Sequence, residues 1–366
     1  MSRPRRRVFG RCRGMSEPMS THPRVEFEPD ELAEVLARFD LGAIRAVNPQ
    51  VKGSRLAPKA VVTSDRGRFL LKRRVRGRDH PLKVAYAHAV QDFLARHGFP
   101  LPRLIPAAGG EDTMVVFRDR IYEMFEYVDG VPFGRTPEEA LDSGRVLALF
   151  HTILERFTSD WEPSRQGYHA SDAVRASLNA VPASVSRNDS VAGRESELLA
   201  TVSLLYEAYE SAAERVDEAG FAGWAERVVH SDWHPGNMLF EGGRVKAVID
   251  YDSLHIRPAV MDVANGALQF SIIGGDFDPR LWPPELDALR FRAFLQGYRQ
   301  TRTPDDPQWR TLPWLMIEAL VSEAVRPIAA TGSFGHMEGF RFLQMICRKV
   351  RWLEHNGQRL LALVAA

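Results

Sequence analysis

Several features are scarce in these 366 residues. Only two cysteines occur, Cys12 and Cys347, far apart in the chain. That excludes a disulfide framework and makes a reducing cytoplasm the expected location. No stretch reaches the ~18 consecutive apolar residues that a membrane-spanning helix needs, so no membrane association is expected. Net charge is nearly absent at +1, and it is unevenly placed. Residues 1–14 hold six arginines (Arg3, Arg5, Arg6, Arg7, Arg11 and Arg13) and no acid, so without them the remainder stands at −5. A near-neutral to acidic body does not resemble a nucleic-acid enzyme, and no nucleic-acid partner is expected. The basic tail lacks the apolar core of a signal peptide. With Met15 and Met19 just downstream, residues 1–24 are expected to be a disordered Arg-rich tail or to precede the true start. Internal repeats are absent too, and nothing in the sequence signals an oligomeric state.

What is present is concentrated in Val228 to Asn237, closed by Val248-Ile249-Asp250-Tyr251-Asp252. His230-x-Asp232 with Asn237 five residues after the Asp is the spacing of a phosphoryl-transfer loop. There the Asp takes the substrate hydroxyl proton and the Asn holds a metal. Met238–Phe240 and Arg244–Ile249 read as two short strands about the turn Glu241-Gly242-Gly243. Such a hairpin returns its open ends to one place. Those ends are Asn237 and Asp250, oxygen donors of the kind Mg²⁺ takes beside the phosphates of ATP.

In chain order, residues 26–46 show a helix pattern with Asp30 as N-cap and Leu32, Val35, Leu36 and Phe39 on one face. A turn-prone loop around Gly53 follows; it is not Gly-x-Gly-x-x-Gly, and a plain connection is an equal reading. Ala60–Thr63 and Arg68–Lys72 read as strands about Ser64–Gly67. Lys72 ends an apolar strand, where a protein kinase places the lysine that pairs with the α- and β-phosphates. Arg73, Arg74, Arg76 and Arg78 follow it, so a solvated cation is the alternative. Pro81 opens a helix to about His97, stopped by Gly98. A kinase puts a glutamate there to pair with the lysine. This helix has Ala87 and His88 instead, and no carboxylate before Asp92. Either His88 takes over, or Lys72 is held otherwise.

Met114–Phe117 and Ile121–Val128 make a second hairpin that ends at Asp129-Gly130. It reads as a hinge whose backbone near Glu126 and Val128 would bind adenine, or as an ordinary edge strand. From Thr136 the chain turns helical, opening with a capping box from Thr136 to Glu139. His151 reads as a packed core histidine. Further helices are expected near 171–180, 192–216, 283–299, 312–328 and 336–361. Asp262, in a helix from Ala259, is expected to bond loop backbone near the site. Glu318 and Glu323 lie in an apolar run and should pair with Arg326 or line a substrate cleft. After Asp250 there is no long activation segment ending in Ala-Pro-Glu, which disfavours a peptide acceptor.

The words H-S-D-W-H-P-G-N-M-L-F, V-I-D-Y-D and P-A-V-M-D-V-A resemble the aminoglycoside phosphotransferase and choline kinase group of small-molecule kinases. F-L-L-K and F-E-Y-V-D-G are similar to theirs as well, so the likeness spans roughly residues 25–350. Around the loop it is nearest the branch of homoserine kinases and spore-coat kinase-like proteins. The resemblance implies an α+β, bilobal protein-kinase-like fold, with an antiparallel-sheet N-lobe (25–127) and a mainly helical C-lobe (128–366). It implies Asp232 as base or substrate-orienting carboxylate, Asn237 and Asp250 as Mg²⁺ ligands, Lys72 as the phosphate lysine and His230 as anchor of the loop. His234 stands where protein kinases carry a lysine at the γ-phosphate, and would either serve there or pack. Asp252 is a weaker candidate for a second metal. ATP and Mg²⁺ would be the cofactors, and the hydroxyl of a small metabolite (amino alcohol, amino acid or sugar) the acceptor. A non-catalytic kinase-like scaffold is the rival: the missing helix acid favours it, and the intact Asp232, Asn237 and Asp250 set opposes it.

Overall fold

A computed structural model of the chain describes residues 25–49, 57–274 and 278–365. The arginine tail and the Gly53 loop lie outside them. The N-terminal lobe is built on a five-stranded antiparallel sheet in the order β1-β2-β3-β5-β4. Its strands are β1 (Ile44–Asn48), β2 (Lys59–Ser64), β3 (Gly67–Arg73), β4 (Val115–Phe117) and β5 (Arg120–Glu126). In β2 every second side chain, Ala60 and Val62 among them, is fully buried, the period of a strand with one covered face. That face packs with Leu71, Tyr122 and Met124 against Val35, Leu36 and Phe39.

Val35 and Leu36 belong to a helix far shorter than the expected 26–46, and Phe39 lies just past its end. Helix α1 runs from Pro29 to Leu36 and is capped by Glu28 rather than Asp30. Glu31 reaches back to the Glu28 amide at 3.1 Å. The chain then breaks at Gly42, whose φ of +72° a helix cannot accept, and β-branched Ile44 and Val47 enter the sheet as β1.

Helix α2 (Pro81–Arg96) links the two lobes. Its buried face, Tyr86, Val90 and Leu94, joins the core of the helical lobe and not that of the sheet. That lobe contains α3 (Pro137–Leu154), α4 (Asp172–Val185), α5 (Glu195–Glu218), α6 (Val260–Ser271), α7 (Ala288–Arg299), α8 (Asp306–Arg310), α9 (Leu312–Thr331) and α10 (Gly339–Ala365). Helix α9 is central, with Leu315, Ile317, Val321 and Val325 entirely buried. The capping box at α3 is only half made: Thr136 accepts from the Glu139 amide at 3.2 Å, while the Glu139 carboxylate accepts from Gly134 N at 2.7 Å.

Three strand pairs punctuate the helices: β6 (Glu226–Val229) with β9 (His255–Pro258), β7 (Met238–Glu241) with β8 (Arg244–Val248), and β10 (Ser333–Phe334) with β11 (Met337–Glu338). The β6–β9 pair has no counterpart among the expected elements. The helix expected from 336 starts at Gly339, because Met337 and Glu338 pair as β11 with Ser333 and Phe334. Among the described residues no helix is long and apolar enough to cross a membrane.

Helices α3 and α7 meet through two glycines. A Cβ on Gly144 would sit 1.9 Å from the Phe294 carbonyl oxygen, and one on Gly297 would sit 1.9 Å from that of Leu141. Backbone cannot yield as a flexible side chain does. Gly297→Ala should therefore destabilise the protein by about 3 kcal/mol in denaturant unfolding. Gly223→Ala, where a Cβ meets open space, should stay within about 0.5 kcal/mol of the parent.

Candidate active site

Strand β6 delivers the chain to His230, where the backbone turns sharply and Ser231 takes φ +63°. Two successive amides are left pointing one way, and Asp262 in the first turn of α6 receives both. His230 N donates to Asp262 Oδ2 at 2.7 Å and Ser231 N to Oδ1 at 2.8 Å. His151 lies behind it, with Nε2 3.3 Å from Asp262 Oδ2 and Nδ1 3.0 Å from the Tyr298 hydroxyl. His151 is thus a core histidine with a polar task. The His230 ring is fully buried between Phe150, Trp233 and Tyr251. Burial lowers its pKa, so it is a neutral packing ring rather than a charged group.

Past this bend, Asp232 and Asn237 are bonded to each other. The Asn237 amide nitrogen donates to Asp232 Oδ2 at 2.8 Å and to the Asp232 carbonyl at 3.0 Å. Those bonds fix the amide with its oxygen facing away from Asp232. His234 Nδ1 accepts from Gly236 N at 3.0 Å, and its Nε2 lies 3.5 Å from Asp232 Oδ1. Burial disfavours charge on both groups. Their mutual attraction outweighs it, lowering the Asp232 pKa and raising that of His234.

The β7–β8 hairpin then works as its spacing required. Gly242 and Gly243 hold φ of +57° and +78°, the conformation of a tight hairpin turn. Buried Phe240 and Val248 anchor the two strands. At the open end Ile249 N donates to the Asn237 carbonyl at 2.9 Å, which sets Asp250 beside Asn237. Asp250 itself adopts φ +67°.

Lys72, near the end of β3, reaches this loop from the other lobe. Its Nζ lies 2.9 Å from Asp252 Oδ2 and 3.5 Å from Asp250 Oδ1. Burial opposes its charge, yet Asp252, Glu123 and Asp250 together raise its pKa. The helix carboxylate missing from α2 has a substitute that the sequence reading did not find. Glu123 lies opposite Lys72 in the β3–β5 register and is completely buried. Arg74, read as a possible solvated cation, is 2% exposed and forks onto Glu123 at 2.8 and 2.7 Å. Its remaining nitrogen reaches Asp252 at 2.9 Å. His88 does not orient Lys72; it joins Glu123 at 2.6 Å and Thr113 at 2.7 Å. Burial would raise the Glu123 pKa, but His88, Arg74 and Lys72 hold it far below the usual carboxylate range. The signal was in the sequence: a lone acid inside the apolar strand Ile121-Tyr122-Glu123-Met124-Phe125 demands a partner. Asp252, being bound to Lys72 and Arg74, is placed as an ion-pair bridge between the lobes.

At the far end of β5, the Glu126 amide donates to the Arg103 carbonyl at 2.8 Å and Tyr127 N to that of Arg68 at 3.0 Å. Arg68 also grips Asp129 at 2.8 Å and lies over the Tyr127 ring. The connector through Val128 is therefore clamped, with the Glu126 carbonyl and Val128 amide following directly on the sheet.

A cavity of about 430 Å³ opens beside His234 and Gly236, walled by α6, α9 and α10. Neither Lys72 nor Asp250 lines it. Of the two acids in α9, Glu323 borders this cavity and accepts from Gln269, while Glu318 is buried under His169 at 3.0 Å and Ala170 N at 3.0 Å. Neither pairs with Arg326. Glu323 is open to the cavity but ringed by protein; that desolvation, with the Asp232 charge added, pushes its pKa up to about 7. Among the described residues no three His, Cys, Asp or Glu side chains gather as a metal cluster. A cation at Asn237 and Asp250 would take further oxygens from phosphate and water.

A model of the phosphotransferase enzyme family matches residues 50–312, most of the chain. The chain belongs to that family. It is a small-molecule kinase with the family's bilobal kinase-like fold. It is 26% identical over 295 residues to a homoserine kinase of Phenylobacterium zucineum, covering 78% of this chain and 80% of that one. Two solved structures share the fold at low identity. An aminoglycoside phosphotransferase from Alicyclobacillus acidocaldarius superposes with TM-score 0.67 at 16% identity, over 94% of this chain and 97% of that one. An amicoumacin kinase in complex with AMP-PNP, Ca²⁺ and Ami gives TM-score 0.64 at 13% identity, over 90% of this chain and 94% of that one.

The Arg74–Glu123 pair makes a direct prediction. Arg74→Met leaves a buried carboxylate without its fork and should cost about 3–5 kcal/mol in urea unfolding. The double variant Arg74→Met/Glu123→Leu should recover part of that loss. A single variant as stable as the parent would contradict the pairing.

Proposed function

We propose that the chain is an ATP- and Mg²⁺-dependent kinase that phosphorylates a hydroxyl of a small metabolite of amino alcohol, amino acid or sugar type. The observation that carries this reading is the bonded pair Asp232–Asn237 with Asp250 delivered next to it by the hairpin. The homoserine kinase relative and the AMP-PNP complex of the amicoumacin kinase support it. On this reading the nucleotide lies between an N-lobe of residues 25–127 and a C-lobe of residues 128–366, in a cytoplasmic enzyme that needs neither nucleic acid nor membrane.

The donor set fits Mg²⁺: an amide oxygen held in place by its own nitrogen's hydrogen bonds, and a carboxylate, both hard oxygen ligands. Asn237 and Asp250 would hold the cation, which when bound supplies charge neutralisation at the phosphates. Adenine would meet the Glu126 carbonyl and the Val128 amide. Lys72 would exchange Asp252 for the α- and β-phosphates, a move of one charged group between two anionic partners. Asp232 orients the acceptor hydroxyl in line and receives its proton, and its lowered pKa keeps it ionised for that task. His234, raised in pKa beside Asp232, would stabilise charge on the transferring phosphoryl group. His230 acts only by anchoring the loop.

The scaffold alternative drew on the missing helix acid. Asp252 pairs with Lys72 and Glu123 adds negative charge near it, and nothing specific favours the scaffold. Asp232→Ala should reduce ADP formation with an active acceptor by about 10³-fold while nucleotide affinity stays near that of the parent. Asp250→Ala should weaken Mg²⁺-dependent nucleotide binding by about 10- to 100-fold. Undiminished turnover in purified Asp232→Ala protein would overturn the assignment.

A further inference from the structure

The cavity beside the catalytic loop has two chemically unlike ends. At the loop end stand His234, Gln269 and Glu323. Elsewhere its lining brings in three cationic side chains from three separate parts of the chain: Arg135 ahead of α3, Arg290 on α7 and Lys349 on α10. All three converge on one strip of backbone. Arg290 donates to the Ile272 carbonyl at 3.2 Å, Lys349 to that of Ile273 at 3.5 Å and Arg135 to that of Gly274 at 2.6 Å. Arg290 is balanced by Asp287 at 3.0 Å. Among the described residues neither Arg135 nor Lys349 meets a carboxylate, and Lys349, 1% exposed, rests only on carbonyl oxygens, chiefly that of Pro283 at 2.8 Å. Burial, with the Arg348 charge added, lowers the Lys349 pKa to about 8 against the opposing attraction of Glu285. Between the two ends the walls are apolar and aromatic, with Phe133, Trp282, Phe334, Phe342 and Ile346.

We infer that the acceptor of this kinase is an anionic alcohol with an apolar body: its hydroxyl lies at Asp232 and its carboxylate, or an equivalent anion, at the Arg135–Arg290–Lys349 end. The inference rests on the kinase reading above and narrows it. Lys349, a buried ammonium held by carbonyl dipoles, gains most from an anion, the exposed Arg135 adds its attraction from the rim, and both repel an ammonium. Among the described residues Glu323 is the one acid in the lining, so a polycationic or choline-like acceptor would meet more like charge than opposite. A cavity of about 430 Å³ has the size of sites for ligands well above a four-carbon amino acid, and its aromatic walls reward a ring or a branched chain over a polar backbone.

The test uses the full chain with Mg²⁺, ATP and a graded set of aliphatic and phenyl hydroxy acids. Each acid is accompanied by its neutral amide and by the amino alcohol of the same skeleton, with homoserine as the small reference. ADP release and thermal shift are both read. The expected result is kcat/KM at least about tenfold higher for the acid than for its amide or amine, and higher for phenyl-bearing acids than for homoserine. Arg135→Gln, at an exposed position, should raise KM for the acid about tenfold more than KM for the amide. Lys349→Met should do the same, provided its melting curve remains cooperative. Turnover that favours the amines or amides overturns this inference and leaves the kinase reading standing. Acids that shift melting selectively without ADP release support the anion end and overturn the kinase reading. Acids that neither bind nor react better than their amides overturn the inference.

Discussion

One carboxylate fixes the geometry on which the rest depends. Asp262 accepts two successive backbone amides, His230 and Ser231, at a bend that puts Ser231 in the left-handed region. Both amides are charge-assisted donors, and without Asp262 they would be orphaned where β6 enters the core. Because α6 begins where β9 ends, the β6–β9 pair holds donor and acceptor segments side by side. His151 and Tyr298 back the carboxylate from α3 and α7, the helices that meet through Gly144 and Gly297. The close helix crossing and the bent loop thus belong to one arrangement, and Asp232 inherits its position from it.

The second constraint is ionic and joins the lobes. His88, Glu123, Arg74, Asp252 and Lys72 form a continuous run from α2 through the sheet to the segment after Asp250. Lys72 is held by the anionic Asp252; on the proposed reading phosphate would replace that carboxylate. At the cavity beside the loop the balance of charge is reversed, with three cations against one acid among the described lining residues. On the proposed reading, a phosphate end stocked with acids and an acceptor end carrying bases would select the orientation of the substrates as well as their identity.

The catalytic loop and its hairpin were legible in the sequence because their information is local: a fixed spacing, a double glycine and short β-branched strands. Helix α2 was legible for the same reason, with Pro81 at its start and Gly98 beyond its end. Features set by distant partners were not. Residues 26–46 carry apolar positions at helical spacing, but Gly42 and the demand of β2 for a neighbour convert Ile44–Asn48 into a strand. The β6–β9 pair joins segments with no mutual signature. Glu123 could have been suspected from its apolar strand, but its partners, Arg74 two residues past Lys72 and His88 on α2, emerge only when the sheet and helix are assembled.

A crystal structure of the full chain with Mg²⁺ and a non-hydrolysable ATP analogue tests the central claim most directly. The account places the cation within about 2.1 Å of the Asn237 amide oxygen and an Asp250 carboxylate oxygen, with Asp232 Oδ2 still bonded to the Asn237 nitrogen and Lys72 drawn from Asp252 to the phosphates. A cation coordinated away from Asn237 and Asp250, or a nucleotide bound outside the space between Lys72 and the catalytic loop, would contradict it.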